Sequence, residues 1–203
     1  MRANGWIGLG CAAVMACAFG EAPGNIDEAG SAAALPPPAA TPPADHRFAS
    51  TPQQQRASAV LRDRTGREVA TAELVQDANG VRVAVTATGL PPGRLAVHIH
   101  ENGACEPPDF ASAGSHFAPG GRQHGIENPA GPHAGDLPNI HVAPDGSGRV
   151  AALDPWVSLR DGDAGYLLGN GGTSIVVHEG ADDYFTDPSG DSGDRIACGV
   201  ITP

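Results

Sequence analysis

Seven of the chain's eight histidines lie between His98 and His178, and six of them fall in three short segments whose residue types suit metal binding. The first segment is VHIH, ending at His100. In a β-strand, side chains two apart share a face, so His98 and His100 project together while Ile99 packs on the other side. The second holds His116, His124 and His133 at intervals of eight and nine residues, with Asp136 three further on. It is rich in Gly and Pro, and such a loop can fold three imidazoles and a carboxylate around one ion. The third, SIVVHEGADD, carries His178 and the acids that follow it. Three imidazoles with a carboxylate suit tetrahedral zinc, whereas imidazoles alone suit copper. The spacings read as two metal sites that share a ligand. His46 and His141 stand outside these segments and take no chemical role.

Ligands on separate segments need a rigid frame. From Ala57 onward, short runs of alternating apolar residues recur between turn residues, the pattern of an all-β fold. The runs are Ala57–Asp63, Arg67–Gln76, Val81–Thr88, Leu95–Glu101, Asp136–Ala143, Gly148–Asp154, Thr173–Glu179 and Arg195–Ile201. Thr65-Gly66, Asn79-Gly80, Pro91-Pro92-Gly93 and Asp145-Gly146 break the chain between them. The expected architecture is an eight-stranded Greek-key β-sandwich or barrel. Two long excursions, 102 to 135 and 180 to 194, are too rich in Gly and Pro for helices. Loops of that length in a compact domain are functional or disordered, and their ligand content marks these as functional.

The rest of the chain bounds the setting. A net charge of −11 argues against nucleic acid or an anionic membrane surface as partner, and all twelve basic residues are Arg. Residues 1–20 read as a secretory signal peptide, too short and too rich in Gly and Ala to span a membrane. Val-Met-Ala-Cys ending at Cys17 resembles a lipoprotein cleavage site. Two outcomes stay open: lipidation of Cys17, which would tether the protein to a membrane, and ordinary cleavage near Gly20. Residues 21–54 are Ala, Pro and Gly with hardly a large apolar side chain, a flexible linker. Residues 55–203 remain as the domain that carries the ligand segments.

Four separated motifs in that domain resemble the copper–zinc superoxide dismutases. HIHENGAC resembles the family's strand with two copper ligands and the first disulfide Cys, in the form found in bacterial exported members. The segment Ser115 to Leu137 is similar to the family's zinc loop. VVHEGADD resembles the strand with the last copper ligand, and DRIACGVI the C-terminal signature with the active-site Arg. The resemblance implies one copper and one zinc per chain. Copper would be held by His98, His100, His116 and His178, and zinc by His116, His124, His133 and Asp136, with His116 shared between them. It implies dismutation of superoxide to dioxygen and hydrogen peroxide, with Arg195 orienting the anion and His116 moving a proton. Asp182 would bridge His98 and His124 behind the metals, since a metal-bound His needs a partner for its other nitrogen. Cys105 and Cys198 would form a disulfide closing a loop of about ninety residues, worth about 4 kcal/mol in the chain-entropy picture. Such a bond fits an exported protein, in periplasm or cell envelope.

One departure stands out. The loop GADDYFTDPSGDSGDR holds no Lys, where family members commonly place it to attract the anion, so steering would fall to Arg195, the metals and Arg122. Two classes of function compete: the enzyme, and a copper- and zinc-binding module on the same fold without turnover. The module has no use for Arg195. The resemblance leaves monomer and homodimer open.

Overall fold

The structure, a computed structural model, describes residues 54–203; the leader, Cys17 and the linker up to residue 53 lie outside the described residues. Among the described residues nine strands form one sheet: β1 (Arg56–Asp63), β2 (Glu68–Asp77), β3 (Gly80–Thr88), β4 (Gly93–Leu95), β5 (Val97–His100), β6 (Ile140–Val142), β7 (Ser147–Asp154), β8 (Ser174–His178) and β9 (Arg195–Val200). Their order is β4-β6-β7-β3-β2-β1-β9-β8-β5, and every pairing between strands is antiparallel. The two end strands of that order, β4 and β5, are separated along the chain by Ala96 alone. The sheet must therefore curl back on itself, which makes a nearly closed barrel. The step from β3 to β4 passes over the β6–β7 hairpin, a Greek-key connection.

The period-two alternation places the core. Leu61, Leu74, Val83, Ile99, Ile140 and Ile175 are buried inside the barrel, while Val60 and Leu153 on the outer face stay exposed. The all-β class expected from the sequence is what forms, with nine strands rather than eight. The difference lies at Ala96, which splits the run Leu95–Glu101. Ala96 N donates to the Gly180 carbonyl at 2.7 Å and its own carbonyl accepts from His178 N at 3.0 Å. The chain thus leaves β6 and joins β8. A third long connection, 155–173, joins the two expected between β5 and β6 and between β8 and β9. Among the described residues no helix is long and apolar enough to cross a membrane.

Candidate metal centre

β5 is buried along its whole length. One edge pairs with β8, setting His98 opposite Val176 and His100 opposite Ser174. The other edge would be left unpaired, and the β5–β6 loop covers it with bridges His98 to Asp136 and His100 to His116. Ile99 N donates to the Gly135 carbonyl at 2.8 Å, and Phe117 N to the Ile99 carbonyl at 2.8 Å. Backbone pairing to one short strand therefore brings two loop ligands beside two strand ligands. Gly135 must lack a side chain here, because a Cβ would overlap the Ile99 carbonyl oxygen. His178 ends β8 at the bulge against Arg195, so it comes into the same cluster from the neighbouring strand.

Ring nitrogens divide into those with partners and those without. His100 Nδ1 donates to the Gly114 carbonyl (3.0 Å), His178 Nδ1 to the Gly193 carbonyl (3.1 Å), and His98 Nε2 meets Asp182 Oδ2 at 2.8 Å. What remains is His98 Nδ1, His100 Nε2, His116 Nε2 and His178 Nε2, all buried and unpartnered. Donor atoms of these four residues lie within 4.8 Å of one another. Buried polar atoms are nearly always paired, so four orphans facing one another fit an ion that takes nitrogen ligands. Burial holds the rings neutral, with His98 pushed down to about 3, His100 to about 2 and His178 to about 4; His116 is lowered by the same cause. Neutral imidazole is the form that ligates.

The second group surrounds Asp136 Oδ1. It lies 3.2 Å from His116 Nδ1, 3.0 Å from His124 Nδ1 and 3.4 Å from His133 Nδ1. A tetrahedral site with bonds of about 2.0 Å has ligand-to-ligand edges of about 3.3 Å, so the arrangement fits zinc. Donor proximity alone gathers His98, His116, His124 and Asp136. His133 completes the group better than His98: its Nδ1 is unpartnered beside Asp136, whereas both nitrogens of His98 are accounted for, one by Asp182 and one in the four-histidine cluster. Asp136 Oδ2 is fixed by Gly125 N (2.9 Å) and His133 N (3.0 Å). For His124 burial disfavours the charged ring, but the hydrogen bonds of Asp136 and Asp182 outweigh it and raise the pKa to about 9. The same contacts overcome burial and hold Asp136 and Asp182 well below the usual carboxylate range.

Asp182, with no exposed side-chain surface, touches both groups: Oδ2 meets His98 and Oδ1 meets His124 Nε2 at 3.0 Å. Its backbone is held in turn by Asn139, whose Oδ1 accepts from Asp182 N (2.8 Å) and whose Nδ2 donates to Asp182 O (2.9 Å). Gly190 lies against this contact, and a Cβ there would overlap Asp182 Oδ1 and come within 2.7 Å of His124 Nε2. Neither Asn139, 43 positions from Asp182, nor Gly190 stands out in the sequence, because nothing local marks a contact made only in the folded chain.

Arg195 opens β9 with its guanidinium pinned on two carbonyls, Phe110 O and Gly114 O, each at 2.7 Å. Gly114 O also accepts from His100, so one oxygen ties the guanidinium to the histidine cluster. The Arg195 charge acts on His100 and His178, lowering both further. An open cavity of 540 Å³ lies before it, lined by Gly114 and Gly193 among others. The Cys105–Cys198 disulfide, Cα to Cα 5.6 Å, joins the loop carrying Phe110 and Gly114 to β9. Arg122 is elsewhere: its Nε donates to the Pro132 carbonyl at 3.1 Å and its guanidinium lies 5.1 Å from the Trp156 ring centroid. It clamps the loop and does not line the Arg195 cavity. His141 is exposed on β6. Asp183 bonds Phe185 N, Thr186 N and Thr186 Oγ1 within its own turn.

The sequence model described as "Copper/zinc superoxide dismutase (SODC)" matches residues 69–201. "Superoxide dismutase [Cu-Zn] 2" of Aquifex aeolicus is 49% identical over 154 residues, covering 75% of this chain and 90% of that protein. "Superoxide dismutase [Cu-Zn]" of Caulobacter vibrioides is 42% identical, over 71% of this chain and 84% of that protein. The crystal structure of a SOD-like protein from Bacillus subtilis aligns with TM-score 0.67 and 42% identity, over 70% of this chain and 96% of that one. With a barrel whose long loop is stitched to β5 and a sequence that matches that family's model over residues 69–201, the chain belongs to the copper/zinc superoxide dismutase family.

Proposed function

We propose that this chain dismutates superoxide, converting two superoxide anions and two protons to one dioxygen and one hydrogen peroxide, with copper and zinc as its cofactors. The observation that carries the reading is the set of four unpartnered ring nitrogens facing one another, with Arg195 tied to them through Gly114 O. His98, His100, His116 and His178 hold copper, and His116, His124, His133 and Asp136 hold zinc. Bound there, copper supplies a one-electron couple and zinc a redox-silent charge.

The residues do the rest. Arg195 is permanently charged and presents several donors, so it draws an anion into the cavity and orients it. His116 faces the copper set with Nε2 and the zinc set with Nδ1, which makes Nε2 the atom that holds and hands over a proton. Asp182 fixes the rings of His98 and His124 at once, so neither can turn. Metal analysis of the mature protein together with a superoxide-consumption assay tests the proposal. One copper and one zinc per chain with rapid consumption is expected; zinc alone after copper loading, or a full metal complement with no turnover, defeats it. The second outcome would favour a storage or transfer module, which has no use for Arg195.

The same proposal extends to the setting. Residues 1–20 act as an export signal, 21–54 as a linker and 55–203 as the enzyme domain. Cys17 is the lipidated residue that tethers the domain in the cell envelope. The disulfide supports export, because such bonds persist in oxidising compartments. Wild-type protein should partition with membranes and Cys17→Ser should be released or left unprocessed; soluble wild type beginning near Glu21 overturns the tether. The mass of the mature protein in solution tests for a homodimer.

A further inference from the structure

Four charged side chains line the cavity in front of Arg195: Arg64, Asp109, Asp194 and Arg195 itself. Arg64 comes from the turn between β1 and β2, 131 positions away in sequence. That turn is preset by Asp63, whose Oδ1 accepts from Thr65 N (2.9 Å) and Arg67 N (3.1 Å). β1 pairs with β9, Asp63 opposite Ala197, so the turn sets Arg64 beside the start of β9. Its Nη2 and Nε donate to the Arg195 carbonyl at 2.9 and 3.2 Å, and Nη2 meets Asp194 Oδ2 at 3.3 Å. With 42% of its side chain exposed, Arg64 still faces the solvent from which an anion arrives.

The charge balance at the mouth makes this contact matter. Arg195 alone would be outnumbered by Asp109 and Asp194, giving a lining with net negative charge. Arg64 brings that lining to neutrality and cancels the acid next to Arg195 in sequence. No Lys exists in the chain to take the task, and Arg122 is turned toward Trp156. We infer that Arg64 is a second guiding residue for the anionic substrate, one that offsets Asp194 at the mouth of the cavity. This rests on the dismutation reading given above. As an exposed ion pair Arg64–Asp194 adds little to stability, so its effect belongs to the field at the mouth.

The test compares copper- and zinc-loaded wild type with Arg64→Gln and Arg64→Lys, from about 10 mM to about 1 M salt, over which the Debye length shrinks from about 30 to about 3 Å. Two readouts serve: kcat/KM for superoxide, and affinity for azide as an anion probe, followed by absorption of the copper. Arg64→Gln should lose about two- to threefold in both at low salt, the effect of one charge acting through water at short range. The deficit should close at high salt, and Arg64→Lys, which keeps the charge, should stay near wild type at low salt. No deficit in Arg64→Gln, or a deficit constant with salt and unrelieved by Lys, overturns the inference; the constant deficit would mean a purely structural role. If wild type consumes no superoxide the dismutation reading fails by itself, while the azide titration still decides the role of Arg64.

Discussion

Gly114 is where the chemistry of single residues meets. Its carbonyl accepts from His100 Nδ1 and from Arg195 Nη2, so the tautomer of a histidine in the four-ring cluster and the aim of the guanidinium are set by one oxygen. Removing the guanidinium leaves His100 its partner. Arg195→Ala should therefore keep its metal content while kcat/KM falls tenfold or more, a loss of about 1.4 kcal/mol in transition-state binding. Elemental analysis beside the rate assay checks both halves. His124 makes a different prediction. Its folded pKa of about 9 lies above the ordinary 6.5, so its stabilising contacts with Asp136 and Asp182 are at full strength below pH 6.5. They are lost as pH rises through 9. Metal-free protein should melt at progressively lower temperature across that window, with the slope absent in His124→Gln. Zinc takes the ring deprotonated, so the gap in Tm between zinc-loaded and metal-free protein should widen over the same range. Parallel melting curves for the two forms would contradict this.

Between elements, the disulfide is the connection that carries most. Cys105 and Cys198, 93 residues apart, pack with Phe110, Ala113 and Val176 in a small cluster outside the main core. The bond holds the Phe110–Gly114 segment to β9, and so holds the two carbonyls to the Arg195 they bind. Cys198→Ser should lower stability by about 4 kcal/mol through the unfolded chain's regained freedom. It should also lower activity in protein that is still folded, because the segment can drift from the guanidinium. Thermal denaturation and the rate assay, run below the variant's transition, separate the two effects. Unchanged turnover in folded Cys198→Ser would show that β9 aims Arg195 without help.

At the scale of the whole molecule the charge is the distinctive feature. A net −11 and an acidic loop without Lys repel an anion at long range, and only at the cavity do Arg64 and Arg195 offset the local acids, Asp109 and Asp194. Salt screens long-range repulsion together with short-range attraction, and at 0.1 M the Debye length is about 10 Å. The rate of the wild-type enzyme should stay flat or rise slightly from low to moderate ionic strength. A steep fall, measured by kcat/KM across the series, would mean that a positive funnel dominates. Not every acid in the loop is a free surface charge: Asp187 accepts from His124 N at 2.7 Å and so steadies a metal-group residue.

What the sequence determined by itself was what local period and spacing can encode. Strand alternation located the barrel, and His-x-His on a strand must place two rings on one face whatever else the chain does. His116, His124, His133 and Asp136 were legible as a group because Gly and Pro forbid a regular element there, and the structure gathers them at Asp136 Oδ1. The strand count was not, since the split at Ala96 depends on hydrogen bonds to Gly180 and His178 that no local pattern announces. The run Asp136–Ala143 shortened to β6 for a similar reason: Asp136 pairs across to His98 and Asn139 is turned to Asp182. Tertiary structure alone decided which nitrogen of each ring stays unpartnered, which carbonyls hold Arg195, and that Arg64 rather than Arg122 faces the cavity. Each of these rests on contacts between residues distant in sequence, made only when the barrel closes and brings separate loops to one end.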